Sequence, residues 1–197
     1  LDVAGIDLVS VSGHKIGAPK GIGALVVRDG AAWQPPMVGG GQERGRRGGT
    51  ENVPGIVGFG AAARRRHARL AEEAARLRRL RDALWQQLLP IGGVVRHGAT
   101  GDDALPNTLH VRFAGVRGEA LVAALDLAGI AVSAGSACAA GAAEPSHVLL
   151  ALGLDAETAR DGVRYSFGET NGDADVAAVA AATADAVGRI RAVRRVA

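Results

Sequence analysis

Apolar and polar positions alternate along the chain in stretches of strand length and helix length, one after another from end to end. Ile6 to Val11 (IDLVSV) predicts a buried strand, and Gly21 to Arg28 (GIGALVVR) a second, with Asp29-Gly30 as its turn. Between them stands the short stretch Ser12-Gly13-His14-Lys15. Residues 39–50 (GGGQERGRRGGT) are too rich in glycine for regular structure and predict a loop. From about Pro54 to Leu89 the pattern is helical: Leu70, Leu77, Leu84 and Leu88 recur at near-heptad spacing with Arg and Glu between them. Pro90 and Gly92-Gly93 end that helix.

A second section follows. Asn107 to Phe113 (NTLHVRF) alternates like a strand, Gly118 to Ala128 has helical spacing, and Ile130 to Ser133 predicts a short strand. Ala134 to Ala143 is a loop by composition, and Glu144-Pro145-Ser146 opens a short helix through Leu152. Gly162 to Phe167 (GVRYSF) predicts a strand, and Asp173 to about Val193 an Ala-rich terminal helix. Strands and helices alternate throughout, so the class is α/β or α+β, with no internal repeat.

Length and composition narrow the picture. The 197 residues are enough for one large domain or two small ones, and 48% of them are hydrophobic. No apolar run approaches the ~20 residues needed to cross a membrane. The start has no basic region followed by an apolar stretch, so no secretory signal is expected. The chain opens at Leu1, directly in a motif-bearing segment, as a sequence cut from a longer one would. The formal charge of +3 admits a nucleic-acid partner. Lysine occurs only at Lys15 and Lys20, however, and the other basic residues are Arg beside abundant Ala and Gly, a bias of GC-rich coding rather than a basic patch. Aromatics are 3%, leaving little to stack on bases, and no nucleic-acid partner is expected. The single cysteine, Cys138, excludes an intramolecular disulfide and fits a reducing, cytoplasmic compartment.

Two stretches carry chemistry. A lysine at the end of an apolar strand, preceded by Ser, Gly and His, has the parts of a cofactor anchor. Schiff-base formation needs an amine that is neutral often enough to attack. A Ser hydroxyl and a His ring can donate hydrogen bonds to a phosphate, and glycine lets the backbone approach closely. A solvated lysine in an ordinary turn fits the tetrapeptide alone equally well. Cys138 sits in SAGSACAAGAAEPSHVL. A lone cysteine is most often a buried small hydrophobe. Its neighbours Ala134 to Gly141 include no large apolar residue to bury it, and an exposed loop suits a nucleophile that must visit a buried site.

The longer strings SGHKIGAPKGIGAL and GGGQERGRRGGTENVPGIVGFG, in that order, closely resemble the cysteine desulfurases of the iron–sulfur and nitrogenase type, within the aminotransferase class V group. The cysteine stretch resembles the long-loop subgroup of that family, with Ala139-Ala140 where Thr-Ser is common. The resemblance runs from about Ile6 to the last helix and covers the C-terminal half of such proteins. It implies pyridoxal 5'-phosphate as cofactor, bound by Ser12, Gly13, His14 and Lys15, with Lys15 carrying it as a Schiff base and Ser12 and His14 on its phosphate. Thr50, in Arg47-Gly48-Gly49-Thr50, matches the threonine that reaches the neighbouring subunit's cofactor, which implies a homodimer. Arg164, in GVRYSFG, matches the arginine that binds the substrate carboxylate; Glu169-Thr170-Asn171 follow where the family has Arg and then Thr.

The implied fold is fold-type I of the pyridoxal-phosphate-dependent transferases. Residues 1–60 would end the large cofactor domain, 61–90 form a connecting helix, and 91–197 form a small C-terminal α/β domain bearing the cysteine loop. The implied reaction takes sulfur from L-cysteine, giving L-alanine and a persulfide on Cys138 for a sulfur-acceptor or iron–sulfur scaffold protein. No resident metal is expected, since the histidines at 14, 67, 97, 110 and 147 show no spacing suited to zinc. A persulfide on Cys138 could ligate a cluster transiently. The family's first half supplies the His stacked on the cofactor ring and the acidic partner of its nitrogen, so the chain alone is expected to be incomplete. Two other readings fit: a related lyase acting on selenocysteine or cysteine sulfinate, and a non-catalytic dimerisation or docking module.

Overall fold

A computed structural model describes residues 5–134 and 145–196. The chain forms two compact units, Leu1–Leu70 and Ala71–Ala197.

In the first unit, β1 (Leu8–Ser12) and β2 (Gly23–Val27) pair antiparallel, with Leu8 opposite Val27 and Ser12 opposite Gly23. These are the two apolar runs seen in the sequence. They are not buried as expected: Leu8, Leu25 and Val26 are exposed, because among the described residues two strands make up this whole sheet. The glycine-rich stretch contains a single turn, α1 (Gln42–Gly45), whose Glu43 and Arg44 are left-handed at φ 51° and 60°. Asn52 then caps α2 (Val53–Ala68), its side-chain oxygen accepting from the Gly55 N–H at 3.1 Å, with Pro54 in the first turn.

The helical pattern from Pro54 to Leu89 is two helices, not one. Arg69 leaves helical geometry (φ −112°, ψ 7°), and α3 (Leu70–Leu88) starts after it. Leu70 is exposed, so it is not part of the apolar stripe. The stripe is Leu77, half-buried, followed by Leu80, Leu84 and Leu88, all fully buried. Steps of three and four keep these residues on one helix face, whereas strict sevens drift off it.

The second unit is built on a three-stranded antiparallel sheet of order β3 (Val94–Arg96), β4 (Thr108–Phe113), β5 (Gly162–Ser166). Its helices are α3, α4 (Gly118–Leu127), α5 (His147–Ala151), α6 (Ala156–Arg160) and α7 (Asp173–Val196). β4 shows strict alternation. Leu109, Val111 and Phe113 are fully buried against Leu80, Leu84 and Leu88 of α3, Leu121 and Leu125 of α4, and Val176 and Val187 of α7. Tyr165 of β5 and Thr183 of α7 share a buried hydroxyl hydrogen bond at 3.1 Å, and burial pushes the phenol up to about 12. The predicted strand Ile130 to Ser133 is reduced to one antiparallel bridge, Ser133 opposite Arg164. β3 and α6 went unpredicted; each is too short to show a period.

Arg81 of α3 is fully buried. Its guanidinium pairs with both Asp82 oxygens at 2.8 and 3.2 Å and donates to the Leu105 carbonyl at 2.9 Å, which ties the β3–β4 connection to the helix. Among the described residues no helix is long and apolar enough to cross a membrane.

Leu84→Ala should lower unfolding free energy by about 2–5 kcal/mol in urea denaturation followed by helix signal. Leu127→Ala, at a position 90% exposed, should stay within about 0.5 kcal/mol of the unaltered chain. Equal effects would contradict this placement of the core.

Candidate active site

Ser12, Gly13, His14 and Lys15 are brought together on one feature, the 3-10 turn Gly13–Ile16 that leaves β1. Gly17 closes it in the left-handed conformation at φ 87°, and the Ala18 N–H donates to the Gly13 carbonyl at 3.0 Å. The Gly13 N–H donates to the Ile22 carbonyl at 2.9 Å, so the β1–β2 ladder continues into the turn. Gly13 is buried because nothing larger fits. A Cβ there would lie 2.6 Å from the Ile22 oxygen and 3.1 Å from the Phe59 ring of α2. At the far end, Arg66 of α2 donates from Nε to the Ile16 carbonyl at 3.1 Å. One helix thus holds both ends of the turn, and the His14 and Lys15 side chains are left exposed between them. Ser12 Oγ and His14 Nδ1 are 3.0 Å apart in a hydrogen bond. The turn offers a hydroxyl, an imidazole and an amine, with no carboxylate from Ser12 to Lys20.

Thr50 is exposed in the same unit, two residues before the Asn52 cap. The loop before it is drawn tight at Gly48, where a Cβ would lie 2.7 Å from the Val38 oxygen. Cys138 lies outside the described residues.

Arg164 stands in the second unit, on the face of the sheet opposite the core. The register pairs His110 with Arg164 and Ser133 with Arg164, and the His97 N–H donates to the His110 carbonyl at 2.9 Å. His97, His110, Arg164 and Ser133 therefore form one row across the sheet. A cavity of about 440 Å³ opens over it, lined by His97, His110, Arg164, Thr108, Ser146 and Leu149 among others. Arg164 reaches Ser133 Oγ at 3.5 Å, and its buried Nε has no hydrogen-bond partner among the described residues. The loop after β5, where the sequence departs from the family pattern, is held firmly. Arg76 of α3 donates to the carbonyls of Asn171, Gly168 and Glu169, and Asn171 Oδ1 accepts from the Gly168 N–H at 2.7 Å.

The histidine row was not foreseen. The only signal for it was the alternation of β4, which puts Thr108, His110 and Arg112 on the face away from the core. His97 and His110 meet at 3.1 Å between their Nδ1 atoms, with ring centroids 5.3 Å apart. Burial, then the charges of His97 and Arg164, lower His110 to about 4. Burial and Arg112 lower His97 as well.

A sequence profile described as aminotransferase class-V matches residues 1–179, a span that includes Lys15, Thr50, Cys138 and Arg164. The chain belongs to the aminotransferase class-V family. Among curated members of that family, the cysteine desulfurase of Gluconacetobacter diazotrophicus is 52% identical over 172 residues, covering 87% of this chain and 43% of that protein. The IscS-like cysteine desulfurase of Mycobacterium tuberculosis is 46% identical over 189 residues, covering 95% and 48%. Among solved structures, a NifS-like protein matches with TM-score 0.80 and 35% identity, over 93% of this chain and 47% of that one. The NifS-like protein of Rickettsia africae matches with TM-score 0.81 and 32% identity, covering 93% and 48%. The fold is that of the fold-type I enzymes. The chain spans about half the length of the curated relatives it matches.

The depressed histidine makes a prediction about acid. The unfolded chain binds a proton at His110 near the ordinary value of 6.5, and the folded chain only near 4. Between those values the unfolded state holds more protons, so stability should fall as pH falls through that window. His110→Gln should flatten this part of the stability profile measured by urea denaturation. An unchanged slope would show that His110 does not carry it.

Proposed function

We propose that this chain is the cofactor-anchoring and sulfur-receiving part of a pyridoxal-phosphate-dependent cysteine desulfurase. The observation that carries the proposal is the Lys15 turn: an exposed amine on a rigid backbone, next to a hydrogen-bonded Ser12–His14 pair. This donor set fits the cofactor. The Ser12 hydroxyl and His14 ring suit a phosphate, Gly13 lets α2 pack close, and Lys15 is the residue that bonds to the carbonyl carbon. Similarity to proteins named cysteine desulfurases, at 52% and 46% identity, supports the substrate, L-cysteine.

When bound, pyridoxal phosphate supplies an electron sink for the substrate Cα. The chain's own residues do the rest. The planar fork of Arg164 holds the substrate carboxylate, and its buried Nε has no hydrogen-bond partner among the described residues. The Lys15 amine moves a proton at the substrate Cα. Cys138, as thiolate, attacks the substrate sulfur; a thiol is too weak a nucleophile. The S–S bond forms as the substrate C–S bond breaks, so L-cysteine and the Cys138 thiol become L-alanine and a Cys138 persulfide with no external oxidant. The persulfide is then passed to a sulfur-acceptor or iron–sulfur scaffold protein. On this reading residues 1–60 end a large cofactor domain, 61–90 connect, and 91–197 form the small domain. Thr50 serves the cofactor of a second subunit in a cytoplasmic homodimer.

The test is the chain supplied with pyridoxal phosphate and L-cysteine, alone and with the N-terminal half of the Gluconacetobacter diazotrophicus relative. Alone it should release no alanine. The pair should release alanine and add one sulfur to Cys138, seen by intact-mass spectrometry. Lys15→Ala should abolish both signals, and Cys138→Ser the added sulfur. Undiminished alanine release from the Lys15→Ala protein would refute the proposal.

A further inference from the structure

The histidine pair lies in the row that carries Arg164, yet the reaction above does not use it. His110 is the cross-strand neighbour of Arg164 at a non-hydrogen-bonded position, since the Arg164 backbone exchanges its hydrogen bonds with Ser133 instead. Side chains approach most closely at such positions. The His110 ring lies over Gly162, where a Cβ would be 2.8 Å from Nε2 and 3.1 Å from Leu149 Cδ1. The ring is therefore wedged between a strand backbone, α5 and His97. Charged and titratable groups acting on it are His97 beyond β3 and Arg164 on β5, with Arg112 acting on His97 and with Arg96 and Asp103 on the cavity wall. From α5 the side chain nearest that Gly162 position is Leu149, which carries no charge.

Two Nδ1 atoms 3.1 Å apart hold one proton between them, one ring donating and the other accepting. Either ring can be the donor in that contact. With His97 as the Nδ1 donor, the second proton of a neutral His110 stands on Nε2. We propose that His110, oriented by His97, is a neutral second donor beside Arg164, so that a bound carboxylate is held by the guanidinium and by the His110 Nε2–H together. This rests on the reading of Arg164 as the carboxylate-binding residue and adds a specificity residue to it. A cation plus a neutral donor suits a single carboxylate, whereas two cations would equally suit a doubly charged group.

Trifluoroacetate is a suitable probe, because its carboxylate stays ionised across the working range and its fluorine reports binding. It would be titrated into the 197-residue chain, following fluorine line width and the nitrogen shifts of His110 and Arg164 Nε. Before addition, His110 should show Nε2–H and His97 Nδ1–H. On addition, His110 Nε2 and Arg164 Nε should move together with one saturation curve. His110→Phe should weaken binding about tenfold or more, as expected for a lost hydrogen bond to a charged group. His110→Gln, which places an amide N–H near the same point, should recover most of it. A His110 found with its proton on Nδ1 overturns the proposal, as does a His110→Phe chain that binds as tightly as the unaltered one. If Arg164 Nε does not respond, the carboxylate site itself is wrong and the proposal falls with it. If Arg164 responds while His110 stays still, only the second donor is lost. Should His110→Phe fail to fold, the shifts in the unaltered chain decide alone.

Discussion

β4 buries Leu109, Val111 and Phe113 completely, and the pleat of a strand then leaves no freedom about where their neighbours go. Thr108, His110 and Arg112 must face the other way. A slip of one residue would put two cationic or titratable side chains into an apolar core, so the register is strongly fixed. Everything on the open face inherits that fixity. Arg164 is set opposite His110 by β5, and His97 is set beside His110 by the end of β3. The cavity is thus the reverse side of a packing decision made in the core.

Gly13 and Gly162 allow close approach at the lysine turn and at the histidine row. Gly13 lets Phe59 and the Ile22 carbonyl come within a distance no side chain permits, and so the lysine turn is clamped under α2. Gly162 leaves room for the His110 ring over the backbone of the strand that carries Arg164. In each place the missing side chain is filled by a neighbour belonging to another element. The backbone that carries the polar groups is then held by packing.

Much of this was legible in the sequence where a signal is local. The Lys15 turn, the helix opening near Pro54, and the alternation of β4 all follow from residues within a few positions of one another. What was not legible depends on pairing across distance. His97 and His110 are thirteen residues apart and meet only through strand register. The break at Arg69 has no Pro or Gly to announce it, and nothing in its residue type explains it. Leu70 looked like part of a heptad, whereas the true stripe uses Leu80, which heptad counting skips. Ile130 to Ser133 has the composition of a strand but keeps one bridge, opposite the arginine that matters most.

Arg81 has a consequence for ionic strength. Surface pairs such as Arg117 with Glu157 sit in water, and salt screens them over about 8 Å at physiological concentration. The Arg81 guanidinium is fully enclosed, with the Leu105 carbonyl and the half-exposed Asp82 as direct partners, so mobile ions reach only the outer side of that carboxylate. The stretch it ties down forms one wall of the Arg164 cavity. That wall should keep its shape in brine and in dilute buffer alike, while the charge inside the cavity still feels the difference. Salt would then act on what enters the cavity, not on its architecture.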